Sequence, residues 1–526
     1  MATSRNAGNI LESYEIDTLM TLVEEATRST EEGVKYFVEP AGGSLRRAIS
    51  RRHHLLFGRR GSGKSSLLRK AAADLTVARA PIAWVDLEPF KGHSYPDLLL
   101  SVLLATFQSF KKWLDIAAIT PANKTSFWKR LFGKAPTNAA HNRKSCEARS
   151  KKFGNHIAEL ETQLHSHDDA ALKLKTTLLT EETEKTKLNT KLKAPYAELG
   201  GSTSASDSKK SGTESLEEYK RSKIDFLRRH IIEYQSLFDA VAEVAGSDSF
   251  LFLDDLYHLR KDHQPQVVDY LHSIAKGHKL WLKFGTIRHR TQWYVHGNPP
   301  IGMKLSDDAD EIDLDLTLEK YALTKRFLEK ILDNLSETVN VRVNQFLTEG
   351  ALDRLVLASG GVARDFLAIL RLSVNVARER EADKINAEDI NIASGEYDTP
   401  KRDEFKRDTY SEEEHSLDSV FQDVRKFCLG SANSNCFLLN KEVKGSVVDF
   451  IHELVDLKLL HLVRSRVTVN SRGGQIYEAY MLDLSQYAGS RKRRGLDIVE
   501  FWKQDSEQKL RKVSLIYKET DDLKNS

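Results

Sequence analysis

Short apolar runs alternate with amphipathic stretches through the first half of this chain. His54–Phe57 (HLLF), Ile82–Leu87 (IAWVDL), Ser249–Leu253 (SFLFL) and Leu280–Phe284 (LWLKF) have the length and apolar weight of strands buried on both faces, as in a parallel sheet. The stretches after them, beginning with SLLRKAAADL, carry helical periodicity, and this alternation predicts an α/β layered domain. Residues 10–35 predict an acidic amphipathic helix ahead of it. Behind it, the alternating EIDLDLTL (Glu311–Leu318) gives way to helices through Glu379, and residues 399–410 (TPKRDEFKRDTY) read as a charged linker. Helical Ser416–Leu429 and Val447–Leu457 precede two β-like runs, Leu460–Val469 and Gln475–Leu484, around SRGG. That α–α–β–β order predicts a winged helix over 411–487, with SRGG at the wing tip and a basic tail with a final amphipathic helix over 488–526.

The second and third strands are separated by about 160 positions, far more than the dozen or so that a parallel crossover needs. Most of this stretch reads as a helical insertion over 110–240. Ile157, Leu160, Leu164, Ala171, Leu174, Leu178, Leu188 and Leu192 share the a and d positions of one heptad register, a coiled-coil signal. Gly200–Gly212 (GGSTSASDSKKSG) has the composition of a flexible tip, and a second helix runs from Leu216 to about Val244. The pattern predicts two antiparallel arms projecting from the core; two helices packed on the body is the alternative. The expected organisation is a lead-in over 1–35, an α/β core over 36–300 carrying the insertion, a helical domain over 301–398, the winged helix and the tail.

Composition narrows the class. A chain of 526 residues with 29% charged and 40% hydrophobic positions builds real cores, about three of them. Its longest apolar run, Leu98–Phe107, is too short for a bilayer, and the N-terminus carries no basic, then apolar, export pattern. Three cysteines (Cys146, Cys428, Cys436) argue against a disulfide framework and for a reducing cytoplasm. With 79 basic and 76 acidic residues the net charge is +3, so any basic surface is local.

The candidate chemistry is concentrated in Gly58-Arg59-Arg60-Gly61-Ser62-Gly63-Lys64-Ser65-Ser66, which fits the phosphate-binding pattern of glycine, four residues, then Gly-Lys-Ser. Strand HLLF precedes it and a helix follows, as the motif requires. The glycines let successive N–H groups face phosphate oxygens at the helix start. Lys64 is placed for the β- and γ-phosphates of ATP and Ser65 for Mg²⁺. SFLFLDD supplies the acidic partner: Asp254 to hold Mg²⁺ and Asp255 to orient the attacking water, with slow turnover expected because aspartate is a methylene shorter than glutamate. Arg288 and Arg290 follow the LWLKF strand, where a cation senses the γ-phosphate. Arg364, in Ser359–Asp365 (SGGVARD), opens a later helix from which it can reach back to the phosphates.

With these motifs together, the chain resembles the AAA+ ATPases of the origin-recognition initiator type, bacterial homologues included, a group related to the STAND signalling ATPases. The resemblance covers about 36–485 without the insertion. It implies an α/β core, a helical lid whose sensor arginine matches Arg364, a winged helix, ATP and Mg²⁺ as ligands, and an oligomer. Thr286-Ile287-Arg288 looks like the Thr-Ser-Arg of STAND proteins, and Asp255 in place of glutamate leans the same way. The implied function is an ATP-driven switch acting on DNA or a DNA-bound complex. The alternative is a STAND-like signalling or antiviral-defence scaffold that oligomerises with a protein effector. An ABC-type repair ATPase is disfavoured, since no Leu-Ser-Gly-Gly signature precedes SFLFLDD. Arg464, Arg466 and Arg472 on the wing suit phosphate contacts, and the run Arg491–Arg494 beyond it is either a phosphate-binding or a solubilising tail, while Asp449, Glu453 and Asp456 make the preceding helix a poor reader of DNA.

Overall fold

Each of the four apolar runs becomes a strand, and all four lie in one parallel sheet. The computed structural model describes residues 9–28, 32–40, 42–119, 143–165, 222–408, 411–443, 445–469, 472–489, 495–503 and 507–518. Strands β1 (His54–Phe57), β2 (Ile82–Asp86), β3 (Ser249–Asp254) and β4 (Leu280–Thr286) match the sequence reading within two residues. β5 (Tyr294–Val295) and β6 (Ile301–Gly302) form a small separate hairpin, and β7 (Asp310–Asp313) adds a fifth strand to the main sheet. The sheet order is β2-β3-β4-β1-β7, every pairing parallel. β1 therefore lies beside β4 and β7, and β4 separates it from β3. The register sets Phe57 level with Thr286 and Leu253 level with Phe284, so three strand ends open at one edge of the sheet. Open α/β sheets bind ligands at such carboxyl ends.

The described parts of the insertion do not project from the body. Helical residues 143–165 lie with the helices Asp97–Ile119 and Ile231–Ala245, and Cys146, Phe153 and Leu160 are wholly buried in their shared core. Phe107 meets the rings of Phe153, Tyr234 and Phe238 edge-on, at centroid separations of 5.4, 4.8 and 5.9 Å. Ile157, Leu160 and Leu164 keep their common face, but they spend it on the α/β core and not on a partner arm. A heptad register names an apolar stripe and leaves open which surface covers it. Ala171–Leu192 and the 200–213 tip fall outside the described residues.

The helices Tyr321–Thr338, Glu349–Ala358, Ala363–Glu379 and Ala387–Glu396 follow the sheet. The acidic N-terminal helix, Tyr14–Ala26, is capped by Ser13 and buries Ile16, Leu19 and Val23 against them. The predicted linker is a helix, Asp398–Asp408. It has almost no apolar periodicity, because beside the buried Phe405 its inward positions are charged: Lys401 pairs with Asp483 at 2.7 Å and Glu404 with Lys458 at 2.6 Å.

Beyond it, the helix Ser411–Lys426, β8 (Cys436–Asn440), the helix Ser446–Asp456, β9 (Leu460–Thr468) and β10 (Ile476–Leu482) build an antiparallel sheet of order β8-β10-β9. The α–α–β–β reading missed β8. CFLLN is a short run buried almost throughout, and periodicity alone does not tell such a run from part of a helix. The expected terminal helix is also absent from the described residues: only Glu507–Leu510 is α-helical, and Tyr517 N–H donates to Leu438 O at 2.8 Å, laying the end of the chain along β8. No helix among the described residues is long and apolar enough to cross a membrane.

Candidate nucleotide site

The phosphate-loop residues sit where β1 ends. Gly58 N–H donates to Thr286 O at 3.3 Å, which pins the loop's entry to the end of β4. The helix Lys64–Val77 then starts on the motif lysine. Lys64 is buried, and its ammonium donates to Gly58 O at 2.8 Å and Arg59 O at 3.2 Å. Burial pulls the Lys64 pKa down, against the opposing charges of Asp255 and Asp254. Asp254 closes β3 and is itself buried. Burial, reinforced by the charge of Asp255, pushes its carboxyl up to about 7, while a hydrogen bond from Ser65 and the charge of Lys64 pull the other way.

Gly285 of β4 makes room for that carboxylate: a Cβ there would stand 2.7 Å from Asp254 Oδ1. Nothing in the sequence pattern singles Gly285 out, because its role is a contact between neighbouring strands. Asp255, left-handed at φ 59°, turns the chain at the strand end, and its N–H donates to Asp254 Oδ1 at 3.1 Å.

A cavity of about 290 Å³ gathers most of the predicted residues: Gly61, Ser62, Gly63, Lys64, Ser65, Ser66, Asp254, Asp255 and Arg364. Gly58 lies behind Lys64 as its acceptor. Arg364 arrives from the first turn of the helix Ala363–Glu379, and its N–H donates to Gly61 O at 3.3 Å. Gly61 has φ 84°, and a Cβ on it would come within 2.7 Å of Arg364 Cβ, so glycine is what lets this helix seat directly on the loop. Arg364 makes no side-chain hydrogen bond or ion pair among the described residues. Ser62 Oγ is likewise buried without a hydrogen-bond partner there. The far end of the cavity is apolar, lined by Phe37 and Val38 and by Phe327, Ile331 and Leu367. Sequence reading missed these residues, since three separate segments supply them and none of the five lies inside a motif.

Arg288 and Arg290 do not join the cavity lining. Arg288 lies over the Phe57 ring, 4.1 Å from its centroid, and pairs with Glu311 at 3.1 Å and Asp313 at 3.3 Å. Arg290 is buried, with Nη1 4.0 Å from Glu453 of the C-terminal module. The acids of the helix Ser446–Asp456 explain this placement. Glu453 accepts from Lys261 at 2.7 Å, and Asp456 Oδ2 accepts from the His289 backbone N–H and faces Nδ1, both at 3.0 Å. Two of the three acids that weigh against DNA are thus turned onto the α/β core, and of the three Asp449 alone is exposed. On β9 and the turn after it, Arg466 and Arg472 are exposed and Arg464 is half-buried, while Arg491–Arg494 fall outside the described residues.

The donors fit a phosphate ligand with Mg²⁺. One buried ammonium, one orphaned hydroxyl and an unpaired guanidinium face the cavity, and the Ser65 hydroxyl and Asp254 carboxylate are the hard oxygens that Mg²⁺ takes alongside substrate phosphates. Among the described residues no cluster of three or more His, Cys, Asp or Glu offers an all-protein metal cage. The fold is a phosphate-loop α/β fold, with the loop between β1 and the helix Lys64–Val77 of a parallel sheet.

No known protein family matches the chain, and no curated protein does. Among solved structures it is similar to the Walker-type ATPase PABY2304 of Pyrococcus abyssi, at 11% identity and a TM-score of 0.39 over 84% of this chain and 93% of that one. It is also similar to the Aeropyrum pernix ORC2 protein in its ADPNP–ADP complexes, at 11% identity and 0.33 over 84% and 88%. Cdc6p of Pyrobaculum aerophilum gives 11% and 0.29 over 92% and 94%. None reaches a TM-score of 0.5, so the fold rests on the strand order and loop geometry of this chain itself.

Proposed function

We propose that the protein is an ATP-binding and hydrolysing switch of the cytoplasm whose lid and C-terminal module act on DNA or a DNA-bound complex. The observation that carries this reading is the meeting of Lys64, Ser65, Asp254 and the unpaired Arg364 around one cavity built by both the sheet and the lid. Lys64 would hold the β- and γ-phosphates, and Ser65 and Asp254 the Mg²⁺, which when bound would neutralise charge on the transferring phosphoryl group. Asp255 would orient water, and Arg364 would tie the phosphates to the lid angle. The C-terminal module is read as a winged helix with an added first strand, and its wing arginines Arg466 and Arg472 as phosphate contacts.

A STAND-like scaffold with a protein effector is the second reading. It is favoured by the docking of Glu453 and Asp456 onto Lys261 and His289, which holds the C-terminal module against the core. The deciding experiment compares wild type with Lys64→Ala and Asp254→Ala for MgATP binding and turnover, and with Arg466→Glu/Arg472→Glu for duplex affinity. Loss of ATP binding in the first variant, loss of Mg²⁺-dependent turnover in the second, and weakened, sequence-independent duplex binding in the third are expected. Wild-type turnover in Lys64→Ala would sink the ATPase assignment. No duplex binding by the wild type at low salt with ATP would hand the molecule to the scaffold reading.

A further inference from the structure

A separate cleft of about 500 Å³ opens where the helix Tyr321–Thr338 begins, between β9 and the segment 495–503. Its floor is aromatic. Tyr321 and Trp502 stack at 5.9 Å and 27°, and buried Phe501 braces Trp502 edge-on at 5.1 Å. Trp502 itself is only half-buried.

The rim is cationic. Lys320 and Arg326 are exposed and Arg464 is half-buried, and none of the three pairs with a carboxylate among the described residues. Lys503 pairs with Glu500 at 2.8 Å. The carboxylate on the lining, Glu319, is engaged: its Oε1 accepts from Ser465 N–H at 2.7 Å and from Ser465 Oγ at 2.6 Å. Three cations without a carboxylate partner among the described residues, against the one carboxylate Glu319, thus line a cleft with a braced indole.

An apolar partner would leave those cations desolvated and unpaired, and a simple anion would make no use of the ring. A flat π-system joined to a phosphate uses both. Duplex DNA hides its base faces in the stack, whereas single strands present them and bind on aromatic platforms within basic grooves. The volume is that of a pocket for one such unit.

We propose that this cleft binds single-stranded nucleic acid, one base stacking at Trp502 and the adjoining phosphates lying against Lys320, Arg326 and Arg464. This rests on the reading of nucleic acid as the partner, and adds a site and a strand state to it.

The test uses the full chain and a fluorescent oligothymidine at low salt, followed by anisotropy, with ATP affinity as the check that each variant is folded. Trp502→Ala is expected to weaken binding about tenfold, the scale of removing one base–aromatic stack, and Trp502→Phe to keep most of it. Lys320→Gln/Arg326→Gln changes only exposed positions and is expected to flatten the log–log salt dependence by roughly 0.7 for each phosphate no longer neutralised. Wild-type affinity in both Trp502→Ala and the double variant, with the wild type binding strands normally, overturns the cleft and leaves the DNA reading standing. A wild type that binds neither strands nor duplex overturns both. Displacement of the strand by free thymidine monophosphate at matched phosphate concentration assigns the cleft to a free nucleotide and overturns the strand.

Discussion

Arg60 of the phosphate loop pairs with Glu404, 2.9 Å away on the helix that follows the lid. The other carboxylate oxygen of Glu404 takes Lys458 at 2.6 Å, and Lys458 reaches Asp365, the residue after Arg364, at 3.2 Å. A run of charge therefore joins the phosphate-loop segment to the helix Ala363–Glu379 and to the C-terminal module.

Its members are not energetically alike. Glu404→Ala strands Lys458, whose side chain is 2% exposed, with one remaining partner, and breaking a buried pair in this way costs about 3 kcal/mol. Arg60, at 27% exposed, is a half-solvated partner, and Arg60→Ala is expected to cost under about 1 kcal/mol. Urea midpoints for the two variants check this; equal losses would mean that the network is not organised around Lys458.

The contrast also shows what is legible in the sequence. HLLF, SFLFLDD and the glycine-lysine loop declare themselves because strand burial and phosphate chemistry both demand local runs. Arg364 is legible as a cation opening a helix. TPKRDEFKRD reads as a linker because a helix that turns Lys401 and Glu404 inward beside a single phenylalanine, Phe405, leaves no apolar period, and its charges become intelligible only once Asp483 and Lys458 stand opposite them. Arg288 is misplaced by sequence reading for a related reason. A strand-end arginine can be drawn towards a γ-phosphate, but here β7, on the far side of β1, supplies Glu311 and Asp313 as its partners.

The insertion gives a second prediction. Phe153 is fully buried among Phe107, Phe110 and Phe238, so Phe153→Ala removes a large core side chain. A loss of about 3–5 kcal/mol in unfolding free energy is expected. A change of under about 1 kcal/mol, the scale of a surface substitution, would restore the detachable-arm picture.

The contact between the C-terminal helix and the core is expected to depend on pH. Burial lowers the His289 pKa, but the hydrogen bond and charge of Asp456 outweigh it, so the net shift is upward; Glu453 adds to the rise and Arg288 opposes it. The ring of His452 stacks on His289 at 5.0 Å. A group whose pKa is raised on docking stabilises the docked form below its free value and loses that contribution as pH rises through the docked value. Amide exchange in 446–456, corrected for intrinsic rates, should therefore be slower at about pH 6 than at about pH 8, and Asp456→Asn should erase the difference. The opposite slope would show that His289 docks as the neutral ring.

The last prediction sets two arginines of equal formal promise against each other. Arg364 lines the cavity, donates its backbone N–H to the phosphate loop and carries a guanidinium with no partner among the described residues. Arg288 is spent on Glu311, Asp313 and the Phe57 ring. Arg364→Ala removes a cation with no bond to lose in the ligand-free protein, so the unfolding free energy should hardly move. ATP affinity should fall by roughly 10- to 100-fold, the equivalent of one charge-assisted hydrogen bond of about 1.5–3 kcal/mol. ADP affinity should fall less if the guanidinium meets the γ-phosphate. Arg288→Ala should do the reverse, costing up to about 1 kcal/mol of stability through its half-exposed pairs while leaving ATP affinity within about twofold. Calorimetric titration of both variants with ATP and ADP, beside their urea midpoints, separates the cases. A larger loss of ATP affinity in Arg288→Ala than in Arg364→Ala would mean that the strand end, and not the lid, reads the terminal phosphate.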